Sequence, residues 1–258
     1  MYYWEKLRFE LTWDQAAAEA FQRSQFVSAG FDFERSLIRL NEILQESDLP
    51  DFEHQTGMGS IHWVLFCSLS LRYDIREILE IGTYDGQTAA ILTSIFPESH
   101  VTTVDLPPDD PLVKAQAYDR PHPTIKPLSE RRRINTQHPR IEYRTSNSFF
   151  LPELLDRQFD MIWIDGGHRF PEIAWDICNA YHLCKPGGWL MCDDVIQHPD
   201  GIADEYTSTE SHGVLEYVSQ RSGEPVRCFL KRTSAAWAAN PRKRKSVALM
   251  RKPEAASL

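Results

Sequence analysis

Ile78-Leu79-Glu80-Ile81-Gly82-Thr83-Tyr84-Asp85-Gly86-Gln87-Thr88-Ala89-Ala90-Ile91-Leu92 begins as an apolar run of strand type, turns through two glycines and continues as a segment of small, helix-compatible residues. A strand that ends in a glycine turn and feeds a helix is how α/β folds build a nucleotide site. The turn lets backbone approach the ligand, and the helix N-terminus offers free N–H groups. The spacing is Glu-x-Gly-x-x-x-Gly, not the Gly-x-Gly-x-x-Gly that cradles a pyrophosphate. Glu80, at the strand end, repels phosphate and suits a cationic ligand. Taken alone, the same glycines serve an ordinary strand–helix turn equally well.

Downstream, strands and helices alternate, the pattern of a parallel sheet. Glu77–Ile81 is a strand and residues 87–96 its crossover helix, stopped by Pro97. His100–Asp105 is a second strand, β-branched and ending in an acid. Asp105 falls about 20 residues past the glycine turn, where a neighbouring strand's acid can accept ribose hydroxyl protons. A helix cap or a solvated turn acid also explains it. Residues 106–139 form a proline-rich insert carrying Arg131-Arg132-Arg133, with 129–135 helical; the arginines suit an acidic group on a substrate or a solvated face. Residues 140–144 alternate as a third strand, followed by Thr145-Ser146-Asn147-Ser148, which can hydrogen-bond a ligand or cap the next helix. Phe159-Asp160-Met161-Ile162-Trp163-Ile164-Asp165-Gly166-Gly167-His168 is an apolar strand running into a glycine turn. An amphipathic helix over 171–184 has Ile173, Ile177, Ala180, Tyr181 and Cys184 on one face. Lys185-Pro186-Gly187-Gly188 ends it, and the short strand Trp189-Leu190-Met191-Cys192 leads to Asp193-Asp194.

Ahead of this core, residues 1–60 read as a helical extension. Residues 13–26 carry Ala16, Ala17, Ala20 and Phe21 on one side, and 33–44 carry Leu37, Ile38, Leu40 and Leu44. Such helices pack on the core, on a second subunit as in a homo-oligomer, or over a site as a lid. A polar connector, 51–59, precedes a helix at 61–71. Behind the core come a helix at 213–220 and a strand pair, 226–231 with 234–239. The expected domains are therefore an extension (1–60), a core (61–240) and a basic, disordered tail (241–258).

The 258 residues are 42% hydrophobic and 25% charged, as in an ordinary soluble globular protein, and the formal net charge of −9 argues against bulk binding to nucleic acid. Cys67, Cys178, Cys184, Cys192 and Cys228 form no Cys-x-x-Cys pair and read as free thiols. The N-terminus has no signal-peptide pattern and no apolar run spans a bilayer, so a cytoplasmic protein without membrane contact is expected.

Parallel strands place their carboxyl ends on one sheet edge, so Glu80, Asp105, Asp165, Asp193 and Asp194 share it. That many carboxylates repel one another unless cations neutralise them. A cationic cofactor accounts for the first two, and magnesium, which prefers oxygen ligands, for Asp165, Asp193 and Asp194. For any one of these acids alone, a capping or surface role is the ordinary explanation.

Residues 77–200 resemble class I S-adenosylmethionine (SAM) methyltransferases. The Ile-Asp-Gly-Gly-His and Lys-Pro-Gly-Gly-Trp-Leu-Met-Cys-Asp-Asp segments are most similar to O-methyltransferases acting on macrolide, cephalosporin and aminocoumarin intermediates. The resemblance implies a Rossmann-like α/β fold, a seven-stranded, mostly parallel sheet whose last strand is reversed. It implies that Glu80, Gly82, Thr83 and Gly86 line the methionine moiety and that Asp105 holds the ribose. Ser146 and Asn147 would lie near the adenine with Asp165 beside the cofactor, and Asp165, Asp193 and Asp194 would hold Mg2+. The acceptor would be a hydroxyl of a small molecule, such as a secondary metabolite. The base departs from the pattern. Some relatives have an acid where Gly167 stands, others a histidine where Ile196 stands, which leaves His168 and His198 as candidates or as structural histidines. The competing readings are metal-independent N- or C-methylation, RNA methylation through Arg131–Arg133 and the basic tail, and SAM binding without catalysis.

Overall fold

The computed structural model describes residues 4, 7–8, 11–53, 60–111, 113, 127–197, 209–234 and 244–254. In chain order the elements are α1 (Gln15–Ser28), α2 (Phe33–Glu46), α3 (His62–Ser70), β1 (Glu77–Ile81), α4 (Gln87–Ile95), β2 (His100–Asp105), α5 (Leu128–Asn135), β3 (Ile141–Thr145), a 3-10 turn (Ser148–Phe150) with α6 (Leu151–Leu154), β4 (Phe159–Ile164), α7 (Glu172–Leu183), β5 (Cys184–Ile196), α8 (Glu210–Ser222), β6 (Arg227–Leu230) and β7 (Lys245–Arg251). The strands form one seven-stranded sheet in the order β3-β2-β1-β4-β5-β7-β6. β1 pairs parallel with β2 and β4, β2 parallel with β3, and β7 runs antiparallel to β6. This is the Rossmann-like arrangement with a reversed last strand.

By packing, the chain divides into two compact units: Met1–Asp74 with His168–Phe170 and Cys192–Met250, and Ile75–Gly167 with Pro171–Met191 and Arg251–Leu258. In the second unit β1 and β4 are near-continuous apolar runs, buried along almost their whole length, as strands covered on both faces must be.

In the first unit α1 and α2 start at aspartate caps: Asp14 accepts from the Ala17 N–H and Asp32 from the Arg35 N–H. The buried side of α1 is Ala18, Gln22 and Phe26, not Ala16, Ala17, Ala20 and Phe21; Phe21 is exposed. Gln22 can be buried because its Nε2 donates to Leu230 O at 2.6 Å. Gln25 donates to Cys228 O at 2.7 Å and accepts from the Leu230 N–H at 2.9 Å. Two side-chain amides thus pair with β6, the last strand of the sheet, as a further strand would, and blunt an open edge. Phe26 packs edge-on against Phe33 and Phe229, with ring centroids 5.0 and 5.1 Å apart. In α2 the buried residues are Phe33, Ser36, Leu40, Ile43 and Leu44, while Ile38 points outward.

Two further expectations need correction. The tail is not disordered throughout, because residues 245–251 form β7, inside the sheet between β5 and β6. β7 takes the pairing expected of residues 234–239, of which 235–239 lie outside the described residues. The glycine turn 185–188 and the Asp193-Asp194 pair do not flank a short strand but belong to β5 itself, thirteen residues long. Among the described residues no helix is long and apolar enough to cross a membrane.

Candidate active site

In the second unit the glycine turn between β1 and α4 is held by backbone geometry that only glycine tolerates. Gly82 has φ +99°, and a Cβ there would lie 2.2 Å from Asp165 O and 2.7 Å from Gly166 N, so the turn presses against the chain leaving β4. The Asp165 N–H completes that contact by donating to Ile81 O at 2.8 Å. Gly86, at φ +78°, is the N-cap of α4. Between them Tyr84 takes φ 48°, uncommon for a residue with a side chain.

Around this turn the expected residues converge. Glu80 is buried, and its Oε2 accepts from Thr103 Oγ1 at 2.5 Å. Thr103 has one proton and gives it to the carboxylate, so Thr83 Oγ1, 2.7 Å away, is the donor of the next bond. Burial pushes the Glu80 carboxyl well above its ordinary range; Thr103 opposes this, while Asp165, Asp105 and Asp85 add to it. The end of β2 presents Asp105, whose Oδ2 accepts from the Tyr84 N–H at 3.0 Å and Oδ1 from the Leu106 N–H at 2.8 Å. Burial raises its pKa, against the pull of Arg132 and of the backbone N–H groups of Leu106, Tyr84 and Thr83. Ser146 joins through backbone, its N–H donating to Asp105 O at 2.9 Å. Asn147 caps the 3-10 turn, its Oδ1 accepting from the Phe149 N–H at 2.9 Å. The cap is the asparagine rather than the serines.

Arg132 was unreadable as a special residue within Arg131–Arg133, yet the structure singles it out. Its Nη2 lies 3.0 Å from Asp105 Oδ2, its Nη1 donates to Tyr143 Oη at 2.9 Å and its Nε donates to Tyr84 O. From the same helix end, Asn135 Nδ2 donates to Asp85 O at 2.9 Å. Helix α5, inside the expected insert, therefore clamps the glycine turn. Residues 114–126 of that insert lie outside the described residues.

The first unit contains the acidic pair. Asp193 Oδ2 and Asp194 Oδ1 each lie 2.5 Å from Lys231 Nζ, and Asp194 Oδ2 lies 2.7 Å from Lys245 Nζ. Burial opposes ionisation of Asp194, but Lys231, His168 and Lys245 outweigh it and hold the carboxyl far below its usual range. Asp193 is lowered in the same way: burial opposes, and Lys231 prevails. Asp194 takes φ 55°, a strained conformation for aspartate. Nearby, His62 Nδ1 lies 2.6 Å from Ser60 Oγ, and burial pushes this histidine down to about 3, so it is neutral near pH 7. Sequence reading missed Lys231, Lys245 and His62. Lys231 follows an unremarkable strand, Lys245 sits in a basic run taken for a tail, and His62 interrupts an apolar helix. His168 is half-buried and within electrostatic reach of both aspartates. His198 lies outside the described residues.

These side chains test the expected magnesium set. Asp194 does not fit, because both of its oxygens are in ion pairs with lysine. One oxygen of Asp193 is committed likewise, and only Asp193 Oδ1 is buried without a hydrogen bond from the described residues. Three aspartates are not at a cation's disposal here.

Residues 79–195 match the family model described as Methyltransferase domain. Over these residues, fewer than half of the 258, the chain is similar to that methyltransferase family. The chain is similar in fold to a candidate caffeoyl-CoA O-methyltransferase from Staphylococcus aureus, at 16% identity and a TM-score of 0.53, covering 84% of this chain and 91% of that one. It is similar to cofactor-bound Rv0187 from MTB, at 20% identity and 0.50, covering 92% and 96%. It is also similar to MycE methyltransferase from the mycinamycin biosynthetic pathway, solved in complex with Mg and SAH, at 15% and 0.51, covering 85% and 56%. No curated protein sequence matches the chain.

Proposed function

We propose that the methyltransferase transfers the methyl group of SAM to a hydroxyl of a small molecule. The observation that carries this reading is the placing of two carboxylates, buried Glu80 and half-buried Asp105, beside the glycine turn. The donor set suits SAM: Glu80, Gly82, Thr83 and Gly86 for the cationic methionine end, Asp105 for the ribose hydroxyls, and Ser146 and Asn147 toward the adenine, with Asp165 beside Gly82. When bound, SAM supplies a methyl carbon on a positively charged sulfur, which the acceptor oxygen displaces. Glu80 and Asp105 counter the cofactor's charge and fix its orientation, so that proximity does much of the work. His168 accepts the acceptor's proton on a ring nitrogen. Asp193, whose Oδ1 accepts no hydrogen bond from the described residues, is within electrostatic reach of the imidazolium that forms.

A hydroxyl acceptor is favoured because the S. aureus relative is described as an O-methyltransferase. RNA loses its expected handle, since Arg131 and Arg132 face Asp85 and Asp105 and Lys245 faces Asp194. Magnesium assistance is the poorest-fitting part of the expectation. Within the first unit the pair leaves it Asp193 Oδ1, and one carboxylate oxygen suits magnesium badly. No step here uses it.

Calorimetry with SAM tests the cofactor assignment. Wild type is expected to bind and Asp105→Ala to lose binding. Labelled SAM offered with a panel of phenols, alcohols and amines tests the acceptor: label on amines alone, or on nothing, refutes hydroxyl methylation.

A further inference from the structure

The Asp193-Asp194 pair occupies the strand position where the family resemblance implies a divalent cation, yet it is neutralised by the chain itself. Three of its four oxygens contact ammonium groups: Asp193 Oδ2 and Asp194 Oδ1 contact Lys231, and Asp194 Oδ2 contacts Lys245. Two carboxylates and two ammoniums sum to zero, so the usual reason for a cation, unpaired buried negative charge, is absent. The lysines are not loose surface chains that a metal could brush aside. The Lys231 side chain is only 9% exposed. Its N–H donates to Lys245 O at 3.0 Å, and its own carbonyl accepts from the Ile61 N–H at 3.1 Å. Lys245 begins β7, which tethers it to the sheet. A divalent ion on Asp194 would need to expel both ammoniums or sit beside them, and like charges at such separations repel strongly where water is scarce.

We infer that Lys231 and Lys245 replace the divalent cation, and that the methyltransferase neither binds nor requires Mg2+ at this pair. The inference rests on the methyl-transfer reading for its meaning, but its test does not. Wild type is titrated calorimetrically with MgCl2 in the presence of S-adenosylhomocysteine, which needs no acceptor. No heat of binding is expected. Lys231→Ala/Lys245→Ala is expected to gain a Mg2+-binding heat, because buried Asp193 and half-buried Asp194 lose their counter-charges. Should the double variant fail to fold, Lys245→Ala, whose side chain is 26% exposed, frees one Asp194 oxygen and is expected to show a weaker gain. Once an acceptor is in hand, dialysis against EDTA is expected to leave the wild-type rate unchanged. Stoichiometric Mg2+ binding by wild type, or a rate lost to EDTA and restored by Mg2+, overturns the inference. Failure to methylate any acceptor would refute the proposed function and leave the calorimetric result to decide this one.

Discussion

Adding one methyl group at Gly82 is the most demanding test of how the cofactor turn is built. The new Cβ would lie 2.2 Å from Asp165 O, 2.5 Å from Asp165 C and 2.7 Å from Gly166 N, all backbone atoms, which cannot swing aside as a side chain can. The φ of +99° adds strain that any L-residue bears, about 1–3 kcal/mol. Relieving the overlap requires β1 and the end of β4 to separate, at about 1–3 kcal/mol more for overpacking. The separation also stretches the bond from the Asp165 N–H to Ile81 O. Gly82→Ala is therefore expected to lose about 2–6 kcal/mol, a large part of the typical total of about 5–15. Even the lower figure lowers Tm by about 4–8 °C in a chain of this size. Differential scanning calorimetry reads the stability, and a SAM titration reads the turn, which must widen. Gly213→Ala is the matched control: it adds the same methyl inside α8 with nothing within 4 Å. That variant is expected to gain about 0.5–1 kcal/mol. If Gly82→Ala melts and binds SAM as wild type does, the packing of the turn against the end of β4 is wrong.

Glu80→Gln tests the buried carboxyl. Because folding raises the Glu80 pKa above its ordinary 4.5, the native state holds the proton more tightly, and stability falls as pH climbs from 4.5 through the raised value. Wild type is expected to lose Tm relative to Glu80→Gln over that climb, and a difference independent of pH would count against it. Arg132→Met removes the contacts to Asp105, Tyr84 O and Tyr143 and is expected to weaken SAM binding roughly tenfold. Unchanged calorimetric affinity would mean the clamp is idle. Gln25→Leu strips partners from Cys228 O and the Leu230 N–H, at a cost of about 1–3 kcal/mol, and is expected to speed hydrogen exchange at Leu230. An unchanged exchange rate would show that α1 does not seal the edge.

The strands of the second unit were legible because each announces itself twice, by an apolar β-branched run and by the turn that ends it. Glu77–Ile81 and His100–Asp105 have the bounds the pattern predicts. The face of α1 was not legible, because hydrophobicity alone cannot foresee glutamines buried by bonding to strand backbone. Gln22 is a core residue, and Gln25 half-buried, for a reason held in β6, some two hundred positions away. Arg132 was hidden similarly: three adjacent arginines are chemically alike, and only the helix geometry of α5 turns the middle one toward Asp105 and Tyr143.

The charge of the carboxylate-lined edge shows most clearly what a one-dimensional reading leaves out. Read along the chain, Glu80, Asp105, Asp165, Asp193 and Asp194 are an excess of negative charge that asks for external cations. Read through the fold, the compensation is already present and comes from segments with no pattern of their own. Arg132 reaches Asp105 from the insert, while Lys231, just past β6, and Lys245, at the start of β7, reach Asp193 and Asp194. Arg132 and Lys245, which belong to the segments that raised RNA binding as a reading, are therefore counter-ions of these acids. The Lys245 contact exists only because residues 245–251 join the sheet as β7. If β7 were the free basic tail its composition suggests, Asp194 would keep only Lys231, and a metal would be the natural remedy. The position of one strand thus decides between a metal-assisted and a lysine-compensated edge. Glu80 has no basic partner in its described contacts and bonds only to Thr103, so the cationic methyl donor remains the charge best suited to it.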